Sequence, residues 1–545
     1  MRRLNAKAPA VLGHLHSITT RVALQMEAPV FQSRLPSSSS FSLFSQIGAA
    51  GSQGKHSRGS GGFWISALAA TAAAAFVFFV VCFLSRRSGR RFEIIIDGGS
   101  TGTRIHVFAY VIGQGGTPVL DLEATSTLKE NPGLSAYADE PEMAGESLIG
   151  LLDFGREKVP RSQWGETKVR LMATAGLRLL EKRVQERILD SCRMALTASG
   201  FLFRSDWASV ITGTDEGIYA WVAANYALGS LGGDPQHTTG IIELGGASAQ
   251  VTFFSSEPLP SEFTYVLQFG KVTYNLYSHS FLHFGQNAAH EFFREFLSSR
   301  ELKSDAISPA VESFRDPCTP RGYARSVESD KSWPYITGNF SECRSAVQML
   351  LQRGKGDCPY RQCRLGSAFV PALEGKFLAT ENFFFTSKFF GLGPAALLSD
   401  FVAAGERFCG EDWMKLKRKY PSLEEDDLLR YCFSSAYIVA LLHDGLGVAL
   451  DDQRIVYANE VGSIPLDWAL GSFLMLVVAA AAAETADSGQ PNWISGEGRF
   501  SLLRALVVFV VVVAMGWLAA RWKKPQLKTI YDLEKGRYIV TRVTR

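Results

Sequence analysis

The chain has almost no excess of charge: 56 Lys and Arg stand against 53 Asp and Glu over 545 residues, a formal +3. That lack removes the electrostatic footprint of a nucleic-acid binder, which would want a strongly basic domain. Cysteine is scarce, eight residues in all, and no pair is spaced Cys-x-x-Cys. A small disulfide scaffold is therefore excluded, and no zinc site is suggested. Hydrophobic residues make up 46%, near the globular average, which excludes a wholly disordered or collagen-like chain. At about 150 residues per domain, the length allows roughly three or four domains.

Acidic residues are nearly absent from positions 1–62, where Glu27 stands alone against Arg2, Arg3, Lys7, Arg21, Arg34, Lys55 and Arg58. From Pro36 to Gly62 the chain is rich in Ser and Gly and cannot bury enough apolar area to offset ordering entropy. Residues 1–62 read as a disordered basic cytosolic tail, an organelle transit peptide being the other reading of such a start. Charge then vanishes from Phe63 to Leu84, 22 residues that at about 1.5 Å each cross a hydrocarbon core of about 30 Å. A transmembrane helix is expected over 63–84. A second run, Ala505 to Ala520, is extended by Leu502, Leu503 and a snorkelling Arg504, giving an expected span over 502–520 and a basic cytosolic tail over 521–545. The Ala-rich stretch Leu470 to Ala483 has the length of a core helix instead.

The flanking charges disagree about orientation. Arg86, Arg87, Arg90 and Arg91 after the first span favour a cytosolic middle, whereas Arg521, Lys523 and Lys524 after the second favour the opposite. Two other features decide for a lumenal or extracellular middle. One glycosylation sequon is present, Asn339-Phe340-Ser341. Six cysteines cluster late, at 318, 343, 358, 363, 409 and 432, an even number that suits three disulfides; pairing between sequence neighbours is one option and the connectivity stays open. Cys82 falls in the first span, and Cys192 is left over as a buried thiol.

Residues 93–110, EIIIDGGSTGTRIHVFAY, read as a buried strand, a tight turn of small residues and a second strand. Small residues let backbone N–H groups approach an anion, Ser100, Thr101 and Thr103 add hydroxyls, and Asp97 can hold a cation or its water. Residues 239–254, TGIIELGGASAQVTFF, repeat the design with Glu243 as the carboxylate, 146 residues after Asp97. Such a repeat predicts two similar lobes across a cleft, with two glycine-rich hairpins facing one polyphosphate. Between them, Ala173-Thr174-Ala175-Gly176 ends a strand and opens a helix, an anion site or a simple N-cap at Thr174. Asp215-Glu216-Gly217 stands at another strand-to-helix junction, where a carboxylate could serve as general base or merely favour the helix N-terminus.

Taken together these blocks resemble the apyrase family, the nucleoside triphosphate diphosphohydrolases. DGGSTGTR, ATAGLR, GTDEGIYAWVAANYALG and ELGGASAQ are similar to its first four conserved regions, and ENFFFTSKFFGLG and DWALG to later ones. The matches run in order from about residue 92 to 475 and look most like plant members with spans at both ends. The resemblance implies an α/β fold of two ribonuclease-H-like lobes, as in actin, Hsp70 and sugar kinases, with lobe I over 92–235 and lobe II over 236–480. It implies Glu216 as the base that activates water, with Ser248 and Gln250 positioning that water. Ser100, Thr101, Gly102, Thr103 and Arg104 match the first phosphate loop, and Gly245, Gly246 and Ala247 the second, with Thr174 nearby. Asp97 and Glu243 match carboxylates that hold Ca²⁺ or Mg²⁺ through water, and Phe385 and Trp468 match aromatics that sandwich the base. The implied substrates are nucleoside tri- and diphosphates, with loose base specificity because every base has a π-face.

Three departures stand out. Glu243 replaces the Asp of most members, Phe385 a frequent Tyr, and Asp215 a Glu or Gln. Within the same aromatic run, Phe383, Phe384, Phe389 and Phe390 are expected in the core. Two rivals remain: a phosphotransferase of the same fold, and a catalytically weak nucleotide-binding sensor whose Glu243 marks the loss of activity. Protein partners are not indicated.

Overall fold

The computed structural model describes residues 89–113, 116–304, 315–323, 335–352, 359–360, 363–488, 511, 526–532 and 536–543. All of them belong to one compact unit, Ala73–Thr544. The N-terminal tail, the expected span over 63–84 and, apart from Val511, the expected span over 502–520 lie outside the described residues. Among the described residues no helix is long and apolar enough to cross a membrane.

Two six-stranded sheets organise the chain. The first is built on β1 (Arg91–Gly98), whose Ile94, Ile95 and Ile96 are fully buried. A run of β-branched residues suits a central strand covered on both faces. β1 pairs antiparallel with β2 (Thr103–Ile112). β3 (Pro118–Leu120) and β4 (Ser126–Glu130) flank β2. On its other side β1 pairs in parallel with β5 (Lys168–Ala173), which is followed by β6 (Ala208–Val210).

The second sheet repeats this plan. β7 (Gly240–Leu244) is wholly buried and pairs antiparallel with β8 (Ser248–Phe254). β9 (Thr264–Phe269) and β10 (Val272–Leu282) continue that side, β10 lying against β8. β11 (Phe377–Glu381) runs parallel to β7, and β12 (Ile455–Tyr457) runs parallel to β11. In each sheet the carboxylate and glycine-rich turn therefore sit at the C-terminal end of the central strand, where crossover strands leave the backbone ends open to a ligand.

The helices that matter for the site are α1 (Ala175–Arg178), α2 (Lys182–Thr197), α3 (Gly213–Ala227), α4 (Phe340–Leu351), α5 (Asn382–Phe389), α6 (Leu398–Cys409), α7 (Glu425–Val439) and α8 (Trp468–Ser488). α3 is apolar on nearly all sides because it lies in a core that joins both sheets. Ile95, Phe108 and Met172 of the first sheet and Ile241, Leu276 and Leu378 of the second share that core with Trp221 and Phe473. Fully burying a side chain such as Trp221 removes apolar surface worth about 1.5–3 kcal/mol. The one buried amide of α3, Asn225, is fully used: Nδ2 donates to the carbonyls of Trp221 and Thr239, and Oδ1 accepts from Thr239 N–H.

The stretch expected as a core helix is α8, and it is one. It meets α3 backbone to backbone, since a Cβ on Gly471 would lie 1.8 Å from Tyr219 O. Phe473 stacks on Phe108 of the first sheet at 4.7 Å. Cys318 pairs with Cys343 in α4, and Cys409 of α6 with Cys432 of α7. Both join sequence neighbours, and Cys363 is disulfide-bonded too. Cys192, on α2, is a buried free thiol.

Candidate active site

The β6–α3 junction separates two adjacent carboxylates into two jobs. Thr212 caps α3 by accepting from Asp215 N–H at 3.0 Å, and the Asp215 side chain returns to Thr212, completing a capping box. Asp215 is thus consumed by the helix end. Glu216, one residue on, points inward and is 7% exposed. Gly217 beside it leaves room for the neighbouring strand, since a Cβ there would meet Thr252 Oγ1 at 2.6 Å.

Glu216 is the centre of a bonded group. Arg178, the last residue of α1, donates from Nη2 to Glu216 Oε2. Gln250 Nε2 faces the same oxygen at 3.1 Å, Ser248 Oγ at 2.7 Å and Ser280 Oγ at 3.2 Å. Arg178 Nη2 also lies 3.5 Å from Ser248 Oγ. Ser248 and Gln250 share a face of β8 because they are two residues apart. The structure therefore brings Glu216, Ser248 and Gln250 together and adds Arg178 and Ser280. Arg178 is legible in the ATAGLR block, whereas nothing in the sequence singles out Ser280.

The two glycine-rich turns approach each other. A Cβ on Gly246 would meet Ser100 Oγ at 2.7 Å and Thr101 Cγ2 at 3.0 Å, so the loops face each other closely there and a larger residue would push those side chains aside. Ser100 is half-buried and Thr101 exposed, while Gly102 and Thr103 are buried. Thr174 sits at the base of the first loop, its N–H donating to Gly98 O at 3.1 Å. It occupies the N-cap position of α1 without a side-chain cap bond. The second loop is anchored from behind: Gly245 O accepts from Gln286 N–H, Gly246 O from Asn287 and Ala288 N–H, and Ala247 O from His283 N–H.

Carboxylates gather between the loops. Asp97 is buried at the end of β1, 3.7 Å from Arg104 Nη1. Arg104 also reaches Glu381 of β11 at 3.9 Å. Asp467, just before α8, lies 3.5 Å from His106 Nε2. Burial, then Asp467, hold the Asp97 proton well above the usual carboxylate range. Burial, then Glu216 and Glu381, do the same for Glu243. Glu216 is raised by burial, against which the Arg178 guanidinium pulls it down. Asp97 Oδ1 and Glu243 Oε2 are buried with no hydrogen-bond partner. Surplus buried carboxylate oxygen is the donor set that hard divalent cations take. Among the described residues no three such side chains converge closely enough to ligate an ion directly. Glu381 and Asp467 lie in blocks that the sequence marks, but their charges were not assigned a role there.

The two expected stacking rings are not equivalent. Phe385 on α5 is 46% exposed and offers an open face. Trp468 is 5% exposed and belongs to the core around Trp221 and Phe473. It opens α8, and burial of that helix against α3 takes the indole with it. Phe383 is fully buried, and Phe389 stacks on Tyr431 of α7 at 3.4 Å, as core residues would.

Residues 84–488 match the model of the GDA1/CD39 (nucleoside phosphatase) family. The chain is 56% identical over 476 residues to "Probable apyrase 6" of Arabidopsis thaliana, covering 84% of this chain and 85% of that one. It is 32% identical over 435 residues to a nucleoside-triphosphatase of Pisum sativum, covering 73% and 90%. In fold it is similar to the crystal structure of nucleoside triphosphate hydrolases from Neospora caninum, with a TM-score of 0.54 at 18% identity, covering 75% of this chain and 97% of that one.

Proposed function

The chain belongs to the GDA1/CD39 (nucleoside phosphatase) family, and on that premise we propose that it is an apyrase that removes the terminal phosphate from nucleoside tri- and diphosphates by direct attack of water. The observation that carries this reading is the hydrogen-bonded group of Glu216, Gln250, Ser248 and Arg178 at the meeting point of two glycine-rich loops. Phosphoryl transfer asks little covalent chemistry of a protein. It asks for positioning and charge stabilisation.

In this reading Gln250 and Ser248 hold the attacking water and Glu216 takes its proton. The water oxygen bonds to the terminal phosphorus as the bridging P–O bond breaks, giving inorganic phosphate and a nucleotide shorter by one phosphate. Ser100, Thr101, Gly102, Thr103 and Arg104 receive phosphate oxygens from one side, with Thr174 behind them. Gly245, Gly246 and Ala247 receive them from the other. The base is taken by Phe385 and Trp468, and stacking supplies roughly 1–3 kcal/mol without regard to base identity. Asp97 and Glu243 would hold Ca²⁺ or Mg²⁺ through water, and their unpartnered oxygens fit that role. When bound, such an ion would supply positive charge toward the phosphates and offset the crowding of carboxylates.

We also propose anchorage by helices over 63–84 and 502–520 in an endomembrane such as the Golgi or in the plasma membrane, with the catalytic part in a lumen or outside the cell. The charge-free 22-residue run supports the first span. The disulfides Cys318–Cys343 and Cys409–Cys432 support an oxidising side.

The test is phosphate release from ATP, ADP, UDP, GDP and AMP by the purified protein, with Ca²⁺, Mg²⁺ or chelator. Metal-dependent release from tri- and diphosphates but not AMP is expected. Release only to an added hydroxyl acceptor would make it a transferase. Tight nucleotide binding with no release under any metal would make it a sensor.

A second expected result concerns Glu243. Its proton is held tighter in the folded chain than in the unfolded one, so ionisation costs stability. That stability is complete below the ordinary carboxylate range and is lost as pH rises through the elevated value. Glu243→Gln should therefore raise the melting temperature in chelator at pH 7.5, by an amount that shrinks toward pH 5. Added Ca²⁺ or Mg²⁺ should stabilise the unsubstituted protein more than the variant. Identical melting curves for both proteins across pH would remove Glu243 from the cation site.

A further inference from the structure

Two cations lie side by side at the exit of the first glycine-rich loop. Arg104 on β2 and Lys129 on β4 are direct partners in the antiparallel ladder, so their side chains share one face of the sheet. That face belongs to the site. Two residues along β2, His106 sits 3.5 Å from Asp467 Oδ2, and its ladder partner Thr127 reaches His106 Nδ1 at 3.3 Å.

Lys129 leans over the loop itself. A Cβ on Gly102 would meet Lys129 Cε at 2.4 Å and Asn131 Oδ1 at 2.6 Å, so the absence of a side chain at 102 is what admits the lysine arm. Like charges directly opposite in a ladder are destabilising. Burial, then Arg104, press the Lys129 ammonium below its ordinary proton affinity, while Glu381 and Asp97 pull it back. Those same two carboxylates serve Arg104, at 3.9 and 3.7 Å. Two cations thus share the same two carboxylates.

Glu381 is also held in an uncommon backbone state, with φ +57°, and its N–H donates to Asn459 Oδ1 at 2.7 Å. Backbone strain in a non-glycine residue collects at ligand clamps. Glu381 directly precedes α5, the helix that presents Phe385. The Arg104–Lys129–Glu381 group therefore connects the first loop to the element bearing the open aromatic ring, whereas Glu216 and Gln250 mark the end where the terminal phosphate reacts.

We propose that Lys129 is a specificity-determining ligand for the non-terminal phosphate of a nucleoside di- or triphosphate. This rests on reading the first glycine-rich loop as a phosphate loop. A second phosphate gives the two cations an anion beyond the carboxylates they share, and on this proposal a monophosphate bound at the reacting end leaves Lys129 without that contact.

The experiment is steady-state kinetics on the full-length protein with ADP and ATP, comparing Lys129→Met and Lys129→Arg. Lys129→Met should raise KM for both by at least about tenfold, the scale of one hydrogen bond to a charged group. kcat should fall by less than roughly threefold, the pattern of lost binding shared by ground and transition states. Lys129→Arg should recover most of the affinity, and inhibition by inorganic phosphate should be unchanged in both variants. Melting curves check that the fold is intact. An unchanged KM in Lys129→Met overturns the proposal and leaves the phosphate-loop reading in place. If Ser100→Ala and Gly246→Val also leave nucleotide affinity unchanged, the phosphate-loop reading falls and Lys129 with it.

Discussion

Glu216→Gln is expected to lower kcat by about 10²–10⁴-fold, the range that a positioned general base contributes. The substitution keeps the side chain's size and leaves an oxygen for Gln250 and Arg178, but removes the site that accepts a proton. Affinity for a non-hydrolysable nucleotide should stay within roughly threefold, because the loops that carry the phosphates are untouched. One complication is physical. Arg178 loses its ionic partner, and a buried cation left unpaired destabilises by about 3–5 kcal/mol in the severe cases. Melting must therefore be measured beside turnover. Glu216→Asp is the companion variant: it keeps the charge for Arg178 but draws the carboxylate back by one methylene. If it melts normally and is still strongly impaired, position and not folding is at fault. Near-normal turnover in the Gln variant would take the role of base from Glu216.

Arg178→Met is expected to cut turnover at neutral pH and, unlike a general weakening, to move the pH profile. Burial already raises the Glu216 proton affinity, and the Arg178 contact is what opposes it. The proposed base, Glu216, can act only when ionised, so activity is expected to fall as pH drops through its elevated value. Removing the guanidinium raises that value further. An adjacent opposite charge moves a carboxylate by about 1–3 units, so the acid limb should shift upward by at least about one unit. At a pH below the shifted limb, each unit costs about tenfold in the ionised fraction. Activity should return in part at alkaline pH. Arg178→Lys should lie between the two, since it keeps the charge but not the planar fork. A uniform loss at every pH, with no displaced limb, would make Arg178 a purely structural residue.

The presence of two similar sheets was legible in the sequence, because each loop carries its own signature. Asp97-Gly-Gly and Glu243-Leu-Gly-Gly follow apolar strands, and small residues in that position permit few other arrangements. The topology agrees: β1 and β7 occupy the same place in their sheets, each antiparallel to the next strand and parallel to a later one. The long apolar α3 and the 14-residue Ala-rich run inside α8 were equally readable from composition and length. The disulfide pairs followed sequence order, although nothing in their spacing required it.

The charges were less legible. Asp215 and Glu216 are adjacent and chemically alike, and only the capping box at Thr212 separates them. Trp468 and Phe385 both read as aromatics in polar blocks, yet packing of α8 on α3 buries one and leaves the other open. Ser280 and Lys129 sit in stretches without any signature.

By itself, then, the sequence determined the α/β architecture with two similar sheets, the two glycine-rich turns at matching strand ends and the candidates for their chemistry, because these depend on local chemistry along a few consecutive residues. The tertiary structure alone decided which groups oppose one another. Arg178 and Gln250 reach Glu216 from two different elements, Ser280 joins through Gln250, and Arg104, Lys129 and Glu381 meet from three strands. Ion pairing and proton affinity depend on distance and burial in space, and residues well separated along the chain carry no mark of being neighbours.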